Sequence, residues 1–159
     1  MRSVTSEPCL AANRAPLEKL FTSDAWVDGS GAELVEWDGG RAVFRLTPGA
    51  RHCNFVGGVH GGVLFSLADA ALGVACNAWG RVCLALTVEI QFLSAPVAGE
   101  ALVATAVERS RTRRTAAYAV DIVSEADGAL RASFQAMVYR TGRWHLGDDA
   151  WPEDWRATH

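Results

Sequence analysis

Residues Gly61–Cys76 read GGVLFSLADAALGVAC, and this stretch decides the fold. It is apolar on every side of a helical projection, which predicts a helix buried in the protein rather than laid on its surface. Asp69 stands at its centre and is the only formally charged side chain between His52 and Gly80. A carboxylate among apolar neighbours must be paired, protonated or in use. Just upstream come Asn54 and the run Gly57-Gly58-Val59-His60-Gly61-Gly62. Glycines at a helix start leave its first N–H groups accessible to an acceptor. Free donors plus one enclosed carboxylate are the raw material of an acyl-transfer site.

Around this helix the chain reads as strands. Leu34–Asp38 and Arg41–Thr47 are strand-like and joined by a tight turn at Gly39-Gly40. Gly49–Val59 reads as a loop, and the helix ends near Asn77–Gly80. Val82–Leu93, Ala101–Glu108, Thr115–Ser124 and Leu130–Tyr139 follow as four strands, with Pro96–Gly99 a turn and Asp127-Gly128 a hairpin signal. In the last strand Leu130, Ala132, Phe134, Ala136 and Val138 alternate with Arg131, Ser133, Gln135, Met137 and Tyr139. The order strand–strand–helix–four strands predicts an α+β fold, a curved antiparallel β-sheet wrapped around one long central helix.

The flanks divide the chain into an N-terminal extension over 1–22, a central domain over 23–142 and a tryptophan-rich tail over 143–159. Residues 1–13 read as disordered, and Pro16–Thr22 as a short helix beginning near Pro16. The tail carries Trp144, Trp151 and Trp155 amid charges, and is expected to pack on its own domain or on a neighbouring subunit.

Composition narrows the function. A chain of 159 residues, half of them apolar and 21% charged, fits one globular domain. A net charge of −3 speaks against nonspecific nucleic-acid binding. Cys9, Cys53, Cys76 and Cys83 form no CxxC and no metal spacing, so they read as reduced thiols of a cytoplasmic protein. The N-terminus has no continuous apolar stretch of the secretory kind. Val63–Trp79 is too short, and too centrally charged, to read as a membrane span. Cys53 has no histidine at the spacing of a nucleophilic pair.

The motif resembles the hotdog-fold acyl-CoA thioesterases, in particular the phenylacetic-acid-degradation branch. The residues that carry the resemblance are Asn54, His60-Gly61-Gly62, Leu64–Asp69, Ala75-Cys76-Asn77, Phe92-Leu93, Pro96 and Gly99-Glu100, and the similarity spans roughly Leu34 to Gly142. It implies that Asp69 is the catalytic carboxylate and that the Gly61 N–H polarises the thioester carbonyl. It implies further that Asn54 orients water or that carbonyl, that His60 supports the site, and that Thr87 sets a hydroxyl near the carboxylate. Gly62 and the turn Ser110, Arg111, Thr112, Arg113 and Arg114 fall where the family meets coenzyme A. Arginine suits phosphates, although these arginines also read as a solvated hairpin tip. Thr112 stands where glycine is common, and Ala70 where threonine is frequent. Phe65 and Trp79 read either as walls of an aryl pocket or as core.

On a helix, Gly61 and Asp69 lie about 12 Å apart along the axis, and residues nine apart, such as His60 and Asp69, are separated by roughly 900° of turn. One thioester carbon cannot meet both the donor and the carboxylate of one helix, so a second copy related by a two-fold axis must supply one of them. The resemblance implies the same homodimer, often paired into a homotetramer. The expected reaction is hydrolysis of an acyl-CoA, of small aryl-acetyl or medium acyl type, with Asp69 as general base or nucleophile. No metal or cofactor is expected, since coenzyme A belongs to the substrate. The rivals are a hotdog enoyl-CoA hydratase or dehydratase and a non-catalytic acyl-CoA-binding protein.

Overall fold

The computed structural model describes residues 7–159. Two helices, α1 (Pro8–Phe21) and α2 (Ala25–Ser30), precede strands β1 (Glu33–Asp38) and β2 (Arg41–Leu46). The long helix α3 (Gly61–Asn77) follows, then β3 (Arg81–Phe92), β4 (Leu102–Arg111), β5 (Thr115–Ser124), β6 (Leu130–Trp144) and a short α4 (Glu153–Thr158). The six strands form one antiparallel sheet in the order β1-β2-β4-β5-β6-β3. This is the hotdog arrangement that the strand and helix pattern predicts.

Small residues let the helix seat closely on the sheet. α3 buries Leu64, Leu67, Ala68, Ala71, Leu72 and Ala75. Opposite them the strands present Ala104 and Ala106 of β4, Ala116 and Val120 of β5, and Ala132, Phe134 and Val138 of β6, all nearly or fully buried. Alternation places these on one sheet face, and burying each large aliphatic side chain contributes about 1.5–3 kcal/mol. Leu130, at the strand's first residue, is 41% exposed, unlike the rest of its alternating row.

The N-terminal expectation is corrected. Pro8–Asn13 is helical rather than disordered, and Pro16 lies inside α1 rather than at its start. Residues 1–6 of the expected disordered stretch lie outside the described residues. An internal proline costs a helix roughly 3 kcal/mol, but Leu10, Leu17 and Phe21 fall on one face and are buried in the main core. Tertiary packing of that face outweighs the local penalty.

The tail packs on its own chain. β6 runs past residue 142 to Trp144, and Trp151 then lies over Gly80. Gly80 has a φ of +85°, and a Cβ there would overlap the indole, so both backbone and packing call for glycine. Trp151 donates from Nε1 to the His145 carbonyl at 2.7 Å, and Trp155 from Nε1 to the Trp79 carbonyl at 3.1 Å. Asn13 of α1 reaches the Ala150 carbonyl at 3.0 Å, tying the two ends of the chain together.

Candidate active site

The start of α3 is organised by two polar side chains. His60 is its N-cap and accepts the Gly62 N–H at Nδ1, at 2.8 Å. Asn54 builds the preceding loop: Oδ1 accepts from the Val56 and Gly58 N–H groups at 3.0 and 3.2 Å. Its Nδ2 makes no hydrogen bond among the described residues, so Asn54 can present a donor outward. Gly62 is thus a committed donor, while the Gly61 N–H has no partner among the described residues. A Cβ on Gly61 would come within 3.2 Å of the Phe92 ring, so a larger residue there would need that exposed ring to shift slightly.

Eight residues on, Asp69 overturns one expectation. α3 is not enclosed all round: Gly62, Phe65, Asp69 and Gly73 form an exposed stripe, because the sheet embraces only the opposite side. Asp69 is exposed within this single chain, and it has no hydrogen bond or ion pair among the described residues. It lines a cavity of about 620 Å³ together with Leu20, Phe21, Asp24, Trp26 and Val27 of the N-terminal segment. The cavity walls push its pKa above the ordinary carboxylate value, first by removing water and then through the negative charge of Asp24.

One chain does not unite the predicted residues. Gly61 lines a different cavity, with Phe92 and Leu93. His60 and Gly62 line a third, which adjoins the cavity of Asp69 at Trp26 and Ser66. Thr87 is exposed on β3 and lies outside the cavity of Asp69. The arginine segment lies at the other end of α3, beside Trp79, roughly 24 Å from Gly61 by helix length.

That segment also differs from the turn expected over Ser110–Thr115. Ser110 and Arg111 are strand residues, paired with Ala117 and Ala116. Arg111 is committed within the chain: its Nε meets Glu108 at 3.2 Å and its guanidinium lies 4.5 Å from the Trp79 ring centroid. Glu108 also accepts from Trp79 Nε1 at 3.0 Å and from the Tyr118 hydroxyl at 2.6 Å. Thr112 closes the turn by accepting the Thr115 N–H at Oγ1, and Arg140 donates to the Thr112 carbonyl. Arg113 and Arg114 remain exposed, as do Arg109 and Ser110. Trp79 belongs to this network and not to the cavity of Asp69, whereas Phe65 packs edge-on against Phe134 from the open stripe.

Sequence reading missed Asp24, Trp26, Ser66, Cys83 and His145, all of which line the cavity of Asp69. A signal existed for Asp24, an aspartate directly ahead of Ala25–Ser30 in the position of an N-cap. His145 donates from Nε2 to Asn77 Oδ1 at 2.8 Å. Burial, and secondly Arg143, lower its pKa, keeping it neutral at pH 7. Among the described residues no group of acidic, histidine and cysteine side chains is arranged to hold a metal ion. None of their helices is long and apolar enough to cross a membrane.

One edge of the sheet is open. β3 pairs with β6 on one side only, and exposes Leu84, Leu86 and Phe92, each more than half accessible. A long apolar edge of this kind is ordinarily covered by another strand or chain.

Comparison with known proteins matches residues 56–130 to the thioesterase superfamily. The acyl-coenzyme A thioesterase PaaI of Escherichia coli (strain K12) is 35% identical over 123 residues, covering 77% of this chain and 87% of that protein. The solved structure of the E. coli PaaI protein from the phenylacetic acid degradation operon superposes with a TM-score of 0.80 at 31% identity, covering 89% of this chain and 99% of that one. A mutant of the phenylacetic acid degradation protein PaaI from Thermus thermophilus gives a TM-score of 0.71 at 36% identity, covering 74% and 100%.

Proposed function

This chain belongs to the hotdog-fold acyl-CoA thioesterases of the PaaI branch, a family of thioester hydrolases, and on that premise we propose how its own residues act. The observation that carries the proposal is Asp69: an unpaired carboxylate on an otherwise apolar helix stripe, opening on a cavity of about 620 Å³. A stability device would have a partner, and this group has none among the described residues.

The substrate is a coenzyme A thioester of a small aryl-acetic or medium-chain acid. The cavity walls support an apolar acyl group through Leu20, Phe21, Trp26, Val27 and Leu84. The Gly61 N–H, assisted by Asn54 Nδ2, donates to the thioester oxygen as it gains charge; such a donor contributes about 2.7–4 kcal/mol to the transition state. Asp69 takes a proton from water as the water oxygen bonds to the acyl carbon, or attacks that carbon itself. When water attacks, the C–S bond then breaks and the proton held by Asp69 passes to the leaving thiolate, giving coenzyme A and the free acid; when Asp69 attacks, C–S cleavage releases coenzyme A and leaves a mixed anhydride, which water hydrolyses to the free acid and the restored carboxylate. The reaction so written uses no metal or bound cofactor, and it suits a cytoplasmic enzyme.

The active unit is a homodimer. Gly61 and Asp69 serve separate cavities in one chain, and the exposed stripe of α3 together with the open edge of β3 supplies a contiguous surface for a second copy. A two-fold axis then brings Gly61 and Asn54 of one subunit to Asp69 of the other. Thr87, on that same open strand, enters the shared site only through this pairing. Exposed Arg113 and Arg114 are the arginines left to meet coenzyme A phosphates.

Complementation tests the shared site. Asp69→Asn and Asn54→Ala subunits, each inactive alone, are mixed under conditions that exchange subunits, and thiol release from a panel of acyl-CoAs is followed. A heterodimer then holds one doubly damaged site and one intact site, so up to about half of the activity per dimer returns. Fully exchanged hybrids without recovery, while wild-type dimers survive the same treatment, reject the shared site.

A further inference from the structure

Asp24 lies between α1 and α2, far in sequence from Asn54, His60, Gly61 and Asp69. One of its carboxylate oxygens, Oδ1, caps α2 by accepting the Trp26 and Val27 N–H groups at 2.8 and 3.1 Å. Its second oxygen makes no hydrogen bond among the described residues. The side chains on either side anchor the segment: Phe21 and Val27 are both buried in the main core. Asp24 is therefore held by backbone bonds on one side and by core packing on two others, and it lines the same cavity as Asp69.

We propose that Asp24 is a positioning residue for the reaction, fixing the N-terminal wall of the cavity with one oxygen and placing the negative charge of its carboxylate on the cavity that Asp69 also lines. The proposal rests on the reading of Asp69 as the catalytic carboxylate. Two like charges sharing one cavity disfavour ionisation of both, and a base that holds its proton more tightly is the stronger base near neutral pH. The direction of the Asp69 pKa agrees: it is raised, first by loss of water and then by Asp24.

The other titratable groups around this cavity do not cancel that charge. His145, from the segment after β6, is kept neutral at pH 7 by burial and by Arg143. Cys83, from β3, has its thiol pKa lowered by the hydrogen bond from Cys76, with Arg140 and Arg81 also acting on it. Cys76, on α3 itself, is held protonated by that bond to Cys83 and by burial. The remaining polar lining, Ser23, Ser66 and Asn77, carries no charge.

The two functions of Asp24 can be separated, because asparagine caps a helix as well as aspartate but carries no charge. The test compares the full-length wild-type enzyme with Asp24→Asn and Asp24→Ala. Asp69 is followed by carbon NMR of labelled aspartate carboxyls, assigned through Asp69→Asn, and the acid limb of the kcat/KM profile is recorded on one acyl-CoA. In Asp24→Asn, with melting temperature kept, the Asp69 midpoint and the acid limb both move to lower pH, by the same amount. Asp24→Ala shows that movement and also a lower melting temperature from the lost cap. An Asp69 midpoint unmoved in Asp24→Asn overturns the proposal, leaving Asp24 as a cap alone. A midpoint that moves while the acid limb stays overturns instead the assignment of Asp69 as the catalytic group, and the positioning role falls with it.

Discussion

The two faces of α3 differ in nearly every respect that matters. The face toward the sheet is Leu64, Leu67, Ala68, Ala71, Leu72 and Ala75, closed and matched to small residues on the strands. The other is Gly62, Phe65, Asp69 and Gly73, open in the single chain, with an unpaired carboxylate at its middle. Both faces are drawn from the same apolar vocabulary. One face is closed within the chain and the other is open, so on the proposed reading stability and chemistry are carried by opposite sides of one helix.

That separation can be broken most sharply at Asp69. Asp69→Asn is expected to lower kcat by about 10²–10⁴-fold, the usual contribution of a positioned acid or base, while gel filtration and circular dichroism stay as in the wild type. A near-wild-type rate would return Asp69 to the class of ordinary surface carboxylates. On the closed face the balance reverses. Leu67→Ala should cost about 2–5 kcal/mol of unfolding free energy by denaturant titration, with the activity of the remaining folded enzyme largely intact at low temperature.

Stability against pH sharpens the comparison further. Folding raises the pKa of Asp69 above its ordinary value of 3.8, so its ionised form disfavours the folded state. That cost is absent below pH 3.8 and fully present once pH exceeds the raised folded value. Asp69→Asn should accordingly melt at a higher temperature than the wild type at neutral pH, and the gain should shrink as pH falls through that window. A variant that melts lower at neutral pH would show that the carboxylate has a stabilising partner after all.

The smallest expected effects lie at the arginine segment, where two neighbours should behave differently. Arg113→Gln with Arg114→Gln should raise KM for acyl-CoA several-fold, more at low salt than at high salt, leaving kcat little changed. Arg111→Gln should instead lower the melting temperature, because Arg111 is held by Glu108 and stacked over Trp79. If KM responds equally to all three, the internal commitment of Arg111 does not separate it from its neighbours.

The element order and the sheet were legible because they rest on local pattern. Alternation from Ala132 to Val138, the Gly39-Gly40 turn and the apolar run of α3 each state their own structure. α1 was not, since only the distant core explains why Leu10, Leu17 and Phe21 hold a helix through Pro16. The exposed N–H groups at the start of α3 were anticipated from His60-Gly61-Gly62, and the cap bond of His60 leaves Gly61 rather than Gly62 without a partner among the described residues. The far wall of the cavity was not readable. Asp24 and His145 come to Asp69 from 45 and 76 residues away in sequence, and no spacing rule links them. The enclosure of Asp69 was misjudged for a related reason, since hydropathy tells that a face avoids water but not which chain covers it.

The placement of the tryptophans gives the protein a built-in optical readout. Trp79, Trp144, Trp151 and Trp155 form one coupled cluster, with successive ring centroids 5.7–6.1 Å apart. Trp26 stands apart from them, 37% exposed, on the wall shared by two adjoining cavities. Indoles at such spacing couple as excitons in far-ultraviolet dichroism, whereas a partly wetted indole emits at longer wavelength. Dichroism therefore reports whether the tail is seated, and the red edge of the emission reports occupancy of the cavity. A single unlabelled sample can register both events independently, with Trp26→Phe as the blank for the second.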